Sequence, residues 1–411
     1  MKNQPHTVDG AVYQAKRAWQ MFGLLLLAQV LVALVGRGIA PLSPLIASDL
    51  RLSNAQVGGL PSALFAGQML VSIPSGLVVD RIGTKKLLFI VCLLLGIFYA
   101  ATTLVPSYAL LLLCILLGGM AYGTMHPVTN KGILYWFPQR RRGMAMGIKQ
   151  MGITLGSALA AAALLPFALY TDWKMAVIAS CIILFAAGLI SSAFYHENVV
   201  IDGSKNQQEE SLINKIKHMA MNRDLLLISL AAFILNGSQM SLTIYVLFYI
   251  GNELLFGLGI AGAMYVLSEI GGSAGRIVWG TVSDSLFKGR RFPVTLILMV
   301  VASIGAVSMV LLTPNTPVWI LCILLFTLGF AVSGFNGLWM NIATELTEPQ
   351  RAGLASGFSL TIGSMGVMVL PPLLGWISDI TGSFKLSWLV MGGMILLALV
   401  FILFLRKRRD F

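Results

Sequence analysis

Charge is scarce in this chain of 411 residues. Asp, Glu, Lys and Arg together make up 11% of it, where a soluble domain carries about 25%. A water-facing surface cannot be assembled from so few charges. Acid is scarcer than base, 16 residues against 28, which leaves a formal net charge of +12. There are only four cysteines, Cys92, Cys114, Cys181 and Cys322, and all fall inside apolar runs. They have neither metal-ligand spacing nor an outside loop to staple, so they read as free thiols. A phosphate-gripping glycine loop is missing, which argues against ATP drive. Ser/His/Asp and metal-ligand clusters are missing too, so neither an enzyme nor a cofactor is expected. Ten-residue alternation of the kind that marks membrane barrels is also absent.

What the chain has instead is apolar length. Hydrophobic residues make up 57% of it, and a bilayer-crossing helix needs about 20 such residues in a row. Lipid requires each backbone polar group to be satisfied within its own segment, so helices are expected. Twelve spans emerge: 19–44, 55–79, 87–105, 109–137, 143–169, 173–195, 225–250, 257–282, 293–312, 318–343, 353–377 and 386–405. The polar start runs directly into the first span, and no cleavable signal is expected. The lipid bilayer is thus one partner.

Twelve spans put both termini on one side, and Lys and Arg say which. Of the 28, 21 lie in the termini and even-numbered loops, and three, Arg51, Lys174 and Lys385, lie in odd-numbered loops. Positive residues mark the cytoplasmic side, so both termini are expected there. The same bias accounts for the net charge, and no nucleic-acid partner is expected. The longest connection, 196–224, is rich in charge and amide and reads as a linker. It separates an N-terminal six-helix bundle, 1–195, from a C-terminal one, 225–411. Within it, Ser211–Met221 could form a short surface helix.

The two bundles repeat. Gly76-x-x-x-Asp80 recurs as Gly280-x-x-x-Asp284, and Arg141-x-Gly143-x-Ala145-x-Gly147 recurs as Arg351-x-Gly353-x-Ala355-x-Gly357. Two matches at nearly one offset indicate duplication. The first belongs to a longer loop, Gly76-Leu-Val-Val-Asp80-Arg81-Ile-Gly83-Thr-Lys85-Lys86, between spans two and three. Gly76 allows close helix approach. Asp80 can accept from backbone N–H groups or pair with a cation. Arg81, Lys85 and Lys86 hold the loop in the cytoplasm.

This loop, in this place, resembles the cytoplasmic signature of the major facilitator superfamily, and the resemblance runs the length of the chain. It implies an all-α membrane fold of two pseudo-symmetric six-helix bundles, with the loop latching the halves in the outward-open state. The second copy is degenerate, with Ser285 where an arginine is expected. A narrower resemblance joins Arg37, Pro127-x-x-Asn130-Lys131, Trp136-Phe137-Pro138 and Arg141-x-Gly143. These look like the organic-anion/cation symporters of the superfamily, which implies that Arg37 binds a substrate anion. Members often carry a proton-coupling glutamate in span four. Here that stretch reads Gly118-Gly119-Met120-Ala121-Tyr122-Gly123, with Tyr122 about where the acid would stand.

Charges inside a membrane cost about 2.5–3.5 kcal/mol each on insertion scales, so each is a functional candidate. Arg37 lies between Gly36 and Gly38, which leave room for a ligand, and its guanidinium can grip a carboxylate through two parallel bonds. Glu269 in span eight is the replacement proton carrier, since a carboxylate there is costly to keep charged. The competing reading ties it structurally to Arg276 or Lys149. Arg276 precedes the second loop signature and suits a gating role. Lys149 could be a second anion contact, a gate residue or a snorkelling interfacial lysine. His126 is the only histidine within a span and could titrate. Asn236, Gln239, Asn336, Trp339 and Asn341 could line a cavity, although amides between helices are also common glue.

The resulting expectation is a monomeric secondary transporter in the bacterial inner membrane, moving a small organic anion by proton symport. A proton-coupled drug or metabolite efflux antiporter is the alternative. Against it, span five lacks the Gly-Pro pair that marks such antiporters. A membrane sensor without transport is a further rival, weakened by the lack of an appended cytoplasmic domain.

Overall fold

In a computed structural model, the chain is described over residues 8–72, 74–197, 217, 219–347 and 352–405. Every element among them is helical. In order they are α1 (Val8–Leu50), α2 (Asn54–Val71), α3 (Pro74–Ile82), α4 (Thr84–Ala101), α5 (Tyr108–Trp136), α6 (Gln139–Leu159), α7 (Leu165–Tyr170), α8 (Trp173–Phe194), α9 (Arg223–Phe248), α10 (Gly257–Ser285), α11 (Arg291–Ser308), α12 (Val318–Val332), α13 (Phe335–Glu345), α14 (Ala352–Thr381) and α15 (Lys385–Leu403). A π-helical turn, Ala160–Leu164, joins α6 to α7, and another, Tyr249–Glu253, extends α9.

These make twelve rods among the described residues. Ten helices are long and apolar enough to cross a membrane, and α2 with α3 makes an eleventh, bent by 60°. The twelfth rod, α10, has the length, at 29 residues, but Glu269, Arg276 and seven glycines dilute its hydrophobicity. Spans two and ten, expected as single helices, are each two. The second is interrupted after Val71, and the tenth at Ser333–Gly334. Most of the expected linker, most of the expected helix over 211–221, and Arg351 of the second repeat lie outside the described residues.

Glycines set where the rods touch. A Cβ on Gly119 would strike the Leu64 carbonyl, and one on Gly67 the Leu116 carbonyl, so α2 and α5 pack backbone to backbone. The same contact recurs between α10 and α12, at Gly271 against Phe326 and Gly329 against Ser268. Without a hydrophobic drive between helices in lipid, such small-residue contacts supply the packing. Buried side chains form one core within 21–195 and a second drawn mainly from 219–405.

An even number of rods returns the chain to the face where α1 starts, here the terminal face. At the opposite face the two cores are tied together. The Asp379 carboxylate accepts the Asn54 and Ala55 N–H groups, at 2.8 and 2.9 Å. Tyr245 donates to Asn54 O at 3.0 Å and Pro371 O at 2.6 Å, and Ser62 donates to Met368 O at 2.9 Å. At the terminal face, Asp80 pairs with Lys131 at 2.9 Å and Arg291 with Glu345 at 2.7 Å, each inside its own group of rods.

Candidate functional site

Arg37 stands about two turns past the middle of α1. The glycine before it is obligatory, because a Cβ on Gly36 would overlap the Tyr122 ring. Tyr99 donates to the Gly36 carbonyl at 2.8 Å and fixes the backbone there. Arg37 Nε donates to the Tyr122 hydroxyl at 3.2 Å. No other described residue hydrogen-bonds the guanidinium, so its terminal amino groups are open to a ligand. A cavity beside it is lined by Ser43, Pro61, Tyr99, Met240 and Thr243, among others.

Glu269 approaches from α10. It is buried, beside Ser157 and Thr243 and within electrostatic reach of Arg37 and Arg276. No described residue forms an ion pair with it. Ser157 and Tyr265 share a hydrogen bond of 2.9 Å between α6 and α10, next to the carboxylate. Arg276, two turns along, donates from Nε to Ser333 O at 3.3 Å. The break between α12 and α13 explains this partner: a helix end leaves carbonyls without intrahelical donors. Trp279 uses a second one, Phe330 O, at 3.0 Å.

Lys149 is 3% exposed, and its partners are neutral. Its ammonium donates to Asn130 Oδ1 at 2.6 Å and His126 O at 3.4 Å. His126 lies within electrostatic reach of both Lys149 and Arg37, and its ring meets Tyr122 edge to face at 6.1 Å. Tyr122, His126 and Asn130 follow one another at four-residue intervals and so share one face of α5.

The other expected lining residues divide. Asn336 donates to Gln239 Oε1 at 3.2 Å, bridging α13 and α9. Asn236 and Trp339 pack around Gly363, and the Trp339 indole donates to Ser359 at 2.8 Å. Asn341 is exposed in the last two turns of α13, nearer the terminal face. The structure does not bring Trp339 or Asn341 to the charged cluster. Ser157, Tyr265 and Thr243, which sequence reasoning did not single out, do join it. A hydroxyl in an apolar span is too common a feature to have marked them.

The Gly76–Lys86 loop turns on Gly83, whose φ of 88° suits glycine and strains other residues. A Cβ there would also strike the Glu197 carboxylate, which accepts the Lys85 N–H at 2.9 Å and so caps α4. Gly76 and Gly280 have open space around their Cα atoms. Asp80 is paired with Lys131, and Asp284 is exposed.

The family model described as Major Facilitator Superfamily matches residues 25–318 and 289–410. The chain belongs to the major facilitator superfamily. It is 24% identical over 390 residues to a hexuronate transporter of Bacillus subtilis, covering 91% of each. It is 23% identical over 401 residues to a probable sulfoacetate transporter of Cupriavidus necator, covering 92% of each. In fold it is similar to the nucleoside transporter NupG, with a TM-score of 0.79 at 16% identity over 94% of this chain and all of that one. It is also similar to a bacterial homologue of the lysosomal transporter Spinster, with a TM-score of 0.74 at 16% identity, covering 95% and 97%. The protein is accordingly a multi-pass membrane transporter and not an enzyme.

Proposed function

We propose that this transporter takes up a small organic anion of the carboxylate class across a bacterial cytoplasmic membrane, coupled to protons. Its two halves, 1–195 and 225–411, would rock about the cluster between them, joined by the 196–224 linker. The observation that carries the proposal is the placing of Arg37 and Glu269. A part-buried guanidinium with open amino groups comes from one half. A buried carboxylate that no described residue pairs comes from the other. The guanidinium suits a carboxylate ligand, and the carboxylate suits a proton. Sugar-acid and sulfonate substrates in the relatives' names support the anion class.

The excess of Lys and Arg in even-numbered loops supports a cytoplasmic terminal face. On that orientation the ties at Asp379, Tyr245 and Ser62 close the outer side, and the structure is an inward-facing state. In the outward-facing state the Asp80 loop would latch the halves at the inner side.

Thermal unfolding with a panel of carboxylates tests the anion class. A ligand at 100 times its dissociation constant adds about 2.7 kcal/mol of stability. An upward shift with at least one carboxylate, and none in Arg37→Ala, is expected. Stabilisation by cationic or neutral solutes alone would reject the anion reading.

A further inference from the structure

Away from the helix ends, the described rods hold three cations that no described carboxylate pairs, Arg37, Lys149 and Arg276, against one carboxylate, Glu269; the other buried carboxylate, Asp224, stands in the first turn of α9 at the terminal face. Lys131 is excluded from that count because Asp80 pairs with it at 2.9 Å. A buried charge without a counter-charge is costly unless something neutralises it. Lys149 is the clearest case. It is almost fully buried, yet its contacts are an amide oxygen and a backbone carbonyl.

Helix α5 measures the gap between Lys149 and Arg37. Tyr122 holds Arg37, Asn130 holds Lys149, and the two anchors lie eight residues apart on one face. At about 1.5 Å per residue that is about 12 Å along the axis. Lys149 also reaches the His126 carbonyl, one turn nearer Tyr122, which narrows the separation of the charges. His126 stands between them, within reach of both. The two cations are therefore spaced for the two ends of one short molecule.

We propose that the substrate is a dianion, a short-chain molecule with an acidic group at each end, one held by Arg37 and the other by Lys149. This rests on the organic-anion reading above and narrows it. Asn130 and the His126 carbonyl position the ammonium by taking two of its three hydrogens, and the third is left for the second acidic group. With Glu269 ionised, such a ligand neutralises the excess of two positive charges, which a monoanion does only by half.

Binding of galacturonate and galactarate to the purified full-length transporter tests this. They share a carbon skeleton and carry one and two carboxylates. Galactarate is expected to bind about tenfold or more tightly, the scale of one charge-assisted hydrogen bond. That ratio should fall towards one in Lys149→Gln and be retained in Lys149→Arg. A ratio near one in the wild type overturns the proposal without any variant, while galacturonate binding that depends on Arg37 leaves the broader reading standing. A ratio that persists in folded Lys149→Gln also overturns it, since the second group is then held elsewhere. Should neither compound bind, nor any other organic anion, both readings fall together.

Discussion

Asp379 grips Asn54 across the molecule: its carboxylate accepts the Asn54 N–H at 2.8 Å and the adjacent Ala55 N–H at 2.9 Å. These are the first residues of α2, and Asp379 lies in the last turn of α14. A carboxylate at a helix N-terminus satisfies orphan donors and the helix dipole together. Opening this face requires the contact to break. Asp379→Asn keeps an acceptor and removes the charge, at a cost of about 0.3–1 kcal/mol. The population open at this face should rise by up to about fivefold. Spin labels near Arg51 and Ser383, in a background without native cysteines, would report it as a longer distance. An unchanged distance distribution would mean the contact does not set the equilibrium.

Asp80 and Lys131 form the corresponding test at the terminal face. In this state Asp80 pairs within its own half. In the proposed outward-facing state it would instead hold the halves together. Asp80→Asn should leave expression intact and slow transport in vesicles. Asp284→Asn should do less, since Asp284 lies in the degenerate copy of the loop and is exposed. If uptake by Asp80→Asn matches wild type, Asp80 is a turn residue and nothing more.

Much of this layout was legible in the sequence, and the reasons differ by residue. The rods were legible because lipid demands long apolar helices. Arg37 and Glu269 were legible because a charge in such a run is conspicuous. The break after Val71 carries a cue that a single span over 55–79 passes over, Pro74, which opens α3 and lacks the N–H an unbroken helix needs. The break at Ser333–Gly334 has no proline or charge, and tertiary packing decides it. The role of Asp379 was not legible, because its partners lie 325 and 324 residues away and only folding brings them together. Lys149 was noticed but not its partner's role, since Asn130 is on another helix.

Arg37 separates charge from geometry. Arg37→Lys keeps the charge and loses the fork, and it also loses the Nε contact to Tyr122. Arg37→Ala loses both. Charge-assisted bonds are worth about 1.5–3 kcal/mol, so Arg37→Ala should weaken anion binding by at least about tenfold. Arg37→Lys should fall between it and wild type. Tyr122→Phe removes the hydroxyl that orients the guanidinium and should weaken binding less than Arg37→Ala. Calorimetry with a binding carboxylate would check the order. Equal affinity in all four proteins would remove Arg37 from anion recognition.

Glu269 tests the coupling. Of the two buried described carboxylates it is the one at mid-span, Asp224 standing in the first turn of α9, and it has Arg37 and Arg276 in electrostatic reach but neither in an ion pair with it. A carboxylate so placed can alternate between a charged form that balances the cations and a neutral form that does not. Protonation would then change which state of the transporter is favoured. Glu269→Gln imitates the protonated form and cannot release the proton. It should abolish uphill accumulation driven by a pH gradient while leaving counterflow exchange largely intact, because exchange needs reorientation of the loaded protein but no net proton movement. Parallel assays in proteoliposomes separate the two. Accumulation against a gradient by Glu269→Gln would move the proton site elsewhere, with His126 next to be tested. A wild type indifferent to any pH gradient would end the proton symport reading while leaving the anion site at Arg37 untouched.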